Sequence, residues 1–163
     1  MSSSDDGQVS DVEERLGEAL TDAIRGPGKI AVEGRGGRRA EADVIDADRL
    51  GVEVERVRVQ GPSSAAIEAR AIAIAAHLRP GGERLVPVEI DDQLGGGVLR
   101  THRQEVRAGR FYQVDLDVDG AELGRFRVND DGERIPEPFT VTREQLGQIV
   151  DALSPKADDA GEP

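Results

Sequence analysis

The spacing of apolar residues predicts a helix near the start of the chain. Ser10 and Glu13 have the spacing of a capping box, in which each side chain bonds to the backbone of the other residue. The apolar stripe that follows has a helical period and consists of Val12, Leu16, Leu20, Ala23 and Ile24. The glycines and proline of residues 26–28 predict the end of this helix.

Alternation of apolar and polar residues predicts three strands between residues 29 and 60. The alternating apolar residues are Ile30, Val32, Ala40, Ala42, Val44, Val52, Val54, Val57 and Val59. Gly36 and Gly37 predict a hairpin turn between the first two strands. In the third strand the alternation changes parity between Glu55 and Arg56. A one-residue slip would turn every later side chain to the other face, so this change predicts a β-bulge.

A central helix is predicted to start at Ser63 or Ser64 and to end at the Pro-Gly-Gly of residues 80–82. It has two apolar faces, a bulky one formed by Ile67, Ala71, Ile74 and Leu78, and a second one formed by Ala65, Ala69, Ile72, Ala73 and Ala76. A helix with two apolar faces is expected to be covered on both. The bulky face suits a sheet, and the alanine face permits close approach of a second helix, from this chain or from a second subunit.

A second group of about four strands is predicted after the central helix. The alternating segments are 86–90, 98–102, 111–118 and 121–128. Pro87 has no backbone N–H group, which indicates an edge strand. The three glycines of residues 95–97 predict a loop and not a phosphate-binding site, because such a site requires a following Lys and Ser or Thr.

A last helix is predicted from Thr142, where Gln145 completes a capping box, to Pro155. Its apolar stripe consists of Leu146, Ile149, Val150 and Leu153. The predicted fold is therefore a single α+β domain with the order α-βββ-α-ββββ-α. A mostly antiparallel, curved sheet is expected to pack on the central helix.

Residues 115–120, with the sequence DLDVDG, have the aspartate spacing that begins the loop of a calcium-binding helix-loop-helix hand. That loop requires a bidentate glutamate at its twelfth position, where this chain has Phe126. The flanking residues also alternate as strands do, so the segment is interpreted as the tip of a β-hairpin. A three-residue loop at 119–121 would place Val114 opposite Phe126 and pair apolar groups with each other.

Composition narrows the expected location and partners. The chain has 163 residues and a formal net charge of −12. Such acidity disfavours nucleic acid and anionic membranes as partners. No apolar segment of membrane-spanning length and no secretory signal is visible, so a cytoplasmic location is expected. We predict disordered tails at 1–8 and 155–163 around a single domain at 9–154.

Few residues are suited to catalysis. The chain has no cysteine, which excludes disulfides and thiolate chemistry. Neither His77 nor His102 has a carboxylate at ligand spacing, and no serine lies in a strand-turn-helix elbow with a histidine to serve it. These observations favour a protein that is not an enzyme and has no cofactor.

Two groups of charged residues are candidate sites. The only compact basic cluster consists of Arg35, Arg38 and Arg39. The favoured interpretation is a hairpin tip kept soluble by arginine, and the alternative is contact with an anion or an acidic partner. A second hypothesis is a divalent-metal site built from carboxylates on neighbouring strands, namely Glu89, Asp91 and Asp92 with Asp115 or Asp117. Both groups also fit ordinary solvated loops.

In size, acidity and element order the chain resembles secretion-chaperone-like domains. The likeness involves no motif. It implies a small acidic homodimer that binds another protein. The leading hypothesis is a protein-binding or adaptor module that uses the alanine face. The alternative is a divalent-metal-binding protein or metal-dependent enzyme that uses the clustered carboxylates.

Overall fold

The computed structural model describes residues 16–155. The predicted capping box at Ser10 and Glu13, the predicted tail at 1–8, and all of the predicted tail at 155–163 except Pro155 lie outside the described residues. The helices within this range are α1 (Leu16–Ala23), α2 (Ile67–His77) and α3 (Arg143–Leu153). The strands are β1 (Gly28–Glu33), β2 (Arg39–Ala47), β3 (Gly51–Gln60), β4 (Leu85–Asp91), β5 (Gly96–Thr101), β6 (Arg110–Asp117), β7 (Gly120–Val128), β8 (Arg134–Pro136) and β9 (Phe139–Thr142).

All nine strands join one antiparallel sheet, which confirms the predicted α+β fold. The main path is β1-β2-β3-β7-β6-β5-β4, so the proline-bearing strand β4 lies at an edge as predicted. The helices of the described chain cover one face of this sheet: α1 packs on β1 and β2, α3 on β3, and α2 on β4 and β5. The buried valines and leucines of the strands meet the helices there. The opposite face of the sheet carries the charged residues.

The predicted β-bulge in β3 is confirmed. Asp43 of β2 lies opposite Arg56, whereas the next residue, Val44, lies opposite Val54. Glu55 is therefore the extra residue, and it is exposed. Because the bulge resets the pleat, the valines before and after it all face the helices and are buried.

The second half contains two short strands that the sequence analysis did not predict. Strands β8 and β9 have three and four residues, too few for alternation to be recognised. They occupy the place where β3 and β7 diverge, because β9 pairs with the first part of β3 and β8 with the last part of β7. The segment between β7 and α3 is thus part of the sheet.

The hairpin at DLDVDG is confirmed, but its predicted register is wrong. Asp117 lies opposite Gly120, which leaves a two-residue loop and places Val114 opposite Leu123 instead of Phe126. The Asp117 carboxylate accepts the N–H groups of residues 119 and 120, both at 2.8 Å, and so fixes the tight turn. Gly120 is the first residue of β7, and glycine is required there because a Cβ atom would overlap the Val59 carbonyl of β3.

Asp117 makes the stability of this hairpin dependent on pH. Partial burial opposes the change, but the N–H groups of Asp119 and Gly120 and the guanidinium of Arg58 lower the pKa of Asp117. The folded state therefore binds this proton more weakly than the unfolded chain does. Its contribution to stability is present above the ordinary aspartate pKa of about 3.9 and is lost as the pH falls through the folded pKa.

We expect Asp117→Asn to lose less free energy of unfolding than the wild type when the pH falls from about 5 to about 2. Urea unfolding at a series of pH values measures this difference. Asp119→Asn is the matched control, because the Asp119 carboxylate accepts no hydrogen bond within residues 16–155. It should reproduce the wild-type profile. A wild-type profile for Asp117→Asn would contradict the assignment.

The ends of two helices test the predicted caps. Thr142 and Gln145 form the predicted capping box of α3. The predicted start of α2 at Ser63 or Ser64 is wrong, because the Ser63 hydroxyl accepts the N–H of Ala65 in a turn and the helix begins at Ile67. Its N-cap, Ala66, has no side-chain acceptor. A carboxylate from the β4–β5 loop, that of Asp92, instead accepts the N–H of Glu68 at 3.4 Å.

Candidate protein-interaction site

The alanine face of α2 is open in the described chain. We call it the alanine ridge, and its residues on α2 are Ala69, Ile72, Ala73 and Ala76. Ala65, which was predicted to share this face, precedes the helix, because α2 begins at Ile67. Ala69, Ile72 and Ala76 are exposed, and Ile72 keeps 59% of its surface accessible. The opposite, bulky face of α2 is buried against the sheet as predicted, with Ile67 and Ile74 in the core. The expected cover over the ridge does not come from residues 16–155.

A groove separates α2 from α3 beside the ridge. It contains a cavity of about 350 Å³, whose apolar wall is formed by Ala73, Ile74, Ala152 and Leu153. A second cavity of about 300 Å³ shares His77 and Gln148 with the first and extends the groove to Tyr112. Pro155, which was predicted to belong to the tail, is buried and lines the first cavity.

Arg70 reaches from α2 beneath this groove. Only 8% of the residue is exposed. Its Nη1 donates to the carbonyl of Asp117 at 2.7 Å and its Nη2 to the carbonyl of Gly120 at 3.0 Å. Arg70 therefore fastens the helix to the tip of the β6–β7 hairpin. Burial lowers the pKa of its guanidinium, and the charge of Asp117 acts in the opposite direction.

Asp151 of α3 stands at the other wall of the groove. The residue as a whole is exposed, but its carboxyl group lies against the start of α1 and accepts the N–H of Gly17 at 3.3 Å. The pKa of Asp151 is raised, mainly by the desolvation of this carboxyl group and also by the negative charge of Glu18. The hydrogen bond from Gly17 acts in the opposite direction. The groove thus combines apolar walls with one cation and one carboxyl group at its sides.

The three arginines of the first hairpin do not converge on one point. Arg39 pairs with Glu33 at 3.7 Å and with Glu41 at 3.4 Å. Arg38 is half-buried, and its side chain lies close to Gly61. Arg35 is exposed in the turn. The predicted anion or partner contact at these residues stays a prediction.

The candidate metal-binding carboxylates lie on strands that are not neighbours. Glu89 of β4 faces Val98 of β5, which in turn faces Asp115 of β6, so two strand spacings of about 4.8 Å separate them. Asp91 accepts two N–H groups of its own loop, at 3.0 Å each. Asp92 caps α2, and Asp117 fixes the hairpin turn. Within residues 16–155, no group of three histidine or carboxylate side chains is placed to hold a metal ion.

Comparison with known proteins adds no assignment. No protein-family model, curated protein or solved structure matches this chain. None of the described helices is long and apolar enough to cross a membrane. The function is therefore argued from the geometry of the ridge and the groove.

Proposed function

We propose that this chain is a protein-binding module that receives an amphipathic helix of a partner protein. The observation that carries the proposal is the exposed alanine ridge next to the groove between α2 and α3. The partner helix would lie along the ridge and place its apolar side chains in the groove. Docking a helix by apolar anchors in a groove is a common mode of peptide recognition.

The side chains of the ridge favour a helical partner. Ala69 and Ala76 have small side chains, which allow another backbone to come close. Ile72, at 59% exposure, supplies one large apolar contact between them. Burying the part of this side chain that is still exposed would contribute about 1–2 kcal/mol. Ala73 joins the ridge to the wall of the cavity.

The partner is inferred to be a different protein and not a second copy. In residues 16–155, the large apolar side chains of α1 and α3 are buried in the core, for example Leu20, Leu146 and Val150. Among the described helices of a second copy, only α2 therefore exposes a large apolar side chain, Ile72 of the ridge. The eleven residues of α2 span only about 16 Å. Contact between two such helices would bury less surface than the roughly 800 Å² per partner of a stable dimer interface. The net charge of −12 also opposes self-association and favours basic residues beside the partner's apolar stripe.

We expect Ala73→Trp to abolish this interaction, because the indole would fill the groove. Partners captured from the source lysate by wild-type protein would be mapped to a segment, and that segment tested as a synthetic peptide. The peptide should gain helicity on binding and bind Ala73→Trp at least tenfold more weakly, which corresponds to about 1.4 kcal/mol. Isothermal titration calorimetry and circular dichroism measure the two effects.

Leu50→Trp is the control, because Leu50 is 82% exposed in the β2–β3 turn and lines neither cavity of the groove. It should bind the peptide as the wild type does. Equal affinity for wild type and Ala73→Trp would remove the ridge and groove as the binding site. If light scattering shows a stable dimer that Ala73→Trp disrupts, the ridge and groove bind a second copy of the chain and the proposal of a different partner protein is wrong.

A further inference from the structure

A pair of stacked phenylalanines lies on the sheet face that the described helices do not cover. Phe111 of β6 and Phe126 of β7 are opposite each other, with ring centroids 5.9 Å apart and an interplanar angle of 27°. The guanidinium of Arg100 lies 5.8 Å from the Phe111 centroid, and that of Arg134 lies 5.9 Å from both centroids. Both rings are half-buried. Their flat surface supports the two cations by cation–π attraction.

A buried glutamine holds the two guanidiniums together. Gln113 is 5% exposed, and its Oε1 accepts Nε of Arg100 and Nη1 of Arg134, each at 2.8 Å. Its Nε2 donates to both oxygens of Asp115, at 3.0 and 3.1 Å, which fixes the orientation of the amide. Two like charges are therefore fixed on one neutral acceptor. We call these residues, with the two phenylalanines, the arginine–aromatic cluster.

Unlike most arginines of the described sheet, these two have no carboxylate partner. Five other arginines of the sheet have a carboxylate oxygen within 4.0 Å, namely Arg39, Arg56, Arg58, Arg110 and Arg127. Within residues 16–155, neither Arg100 nor Arg134 has one. The described hydrogen bonds use Nε of Arg100 and Nη1 of Arg134, which leaves the other nitrogens of both guanidiniums as donors.

We propose that the arginine–aromatic cluster binds a single carboxylate that is flanked by apolar groups, in a peptide lying across the open sheet face. The planar guanidinium matches a carboxylate in a two-point hydrogen bond. Charge complementarity supplies the driving force, because the carboxylate neutralises the pair that Gln113 holds together. The rings of Phe111 and Phe126 offer apolar contact to the flanking side chains.

The surroundings favour one isolated carboxylate over a polyanion. Asp115, Asp117 and Glu122 lie on the same face, farther along β6 and β7, and would repel further negative charge. Free phosphate could also accept hydrogen bonds from the two guanidiniums, but it has no apolar group to contact the phenylalanine rings. This site lies on the face opposite the ridge and the groove. The inference therefore does not depend on the proposed helix-binding function.

The test uses two capped tripeptides, one with glutamate and one with glutamine between two leucines, together with inorganic phosphate. Nuclear magnetic resonance of the full chain would follow the Nε–H signals of Arg100 and Arg134 and the amide of Gln113. The glutamate peptide is expected to shift these signals with a dissociation constant of about 1 mM. The double variant Arg100→Gln/Arg134→Gln should weaken binding at least tenfold.

Arg56→Gln is the matched control, because Arg56 lies on the same face but pairs with Asp43 at 2.6 Å. It should bind the glutamate peptide as the wild type does. The single variant Arg134→Gln, at an exposed residue, gives a second reading if the double variant fails to fold. Equal shifts with the glutamine peptide, shifts with phosphate alone, or no shift at about ten times the expected dissociation constant would each overturn the proposal.

Discussion

Arg70→Met is expected to lower the free energy of unfolding by about 2–4 kcal/mol. The substitution keeps most of the side-chain volume but removes both donors. The carbonyls of Asp117 and Gly120 would then lose the guanidinium that binds them at 2.7 and 3.0 Å. Each carbonyl left buried without a donor costs about 1–3 kcal/mol. Removing the buried guanidinium charge is favourable and offsets part of the total for the two carbonyls.

Urea unfolding of Arg70→Met beside Arg58→Met tests this expectation. Arg58 contacts the same hairpin through the Asp117 carboxylate, at 3.3 Å, but as a partly exposed ion pair on the other face of the sheet. Its loss should cost no more than about 1 kcal/mol. Equal destabilisation by the two variants would show that Arg70 is not the specific link between α2 and the hairpin.

Gly17→Ala is expected to destabilise the protein by at least about 3 kcal/mol. Gly17 lies where α1 crosses α3, and a Cβ atom there would overlap the carbonyl oxygen of Gly147. The obstacle is helix backbone, which cannot turn aside as a flexible side chain can. To avoid this overlap, α1 would have to move away from α3, which would withdraw Leu16 and Leu20 from the core.

Gly147→Ala, on the facing helix, should behave differently. A Cβ atom on Gly147 would come no closer than 3.6 Å to Gly17, which is ordinary contact. Alanine is favoured over glycine within a helix by up to about 1 kcal/mol, so this variant should match or exceed wild-type stability. Thermal unfolding of both variants measures the asymmetry. Similar losses for the two would contradict the close approach at Gly17.

Features that depend on neighbouring residues could be predicted from the sequence. The bulge at Glu55 follows from a change of parity within one strand, and the capping box at Thr142 from a spacing of three residues. The register of the β6–β7 hairpin could not be obtained from cross-strand pairing alone. It depends on the turn bonds of Asp117 and on the approach of β3 to Gly120, and β3 is remote in sequence.

The alanine ridge could be predicted from the sequence, whereas the groove and the arginine–aromatic cluster could not. The alanine ridge was predicted because the helical period places its residues on one face of α2. The groove beside it depends on where α3 lies on the sheet, which no local pattern contains. The arginine–aromatic cluster unites residues of β5, β6, β7 and β8. Arg100 and Arg134 meet only because these strands are neighbours in the sheet.

Photo-cross-linking from position 72 tests the central claim most directly. Ile72 would be replaced by benzoylphenylalanine in the full chain, with the same replacement at Leu50 as the control. The predicted result is a cross-link from position 72, absent from position 50, to an amphipathic helical segment of another protein with basic flanks. Cross-links only to a second copy of the chain, or the same products from both positions, would contradict it.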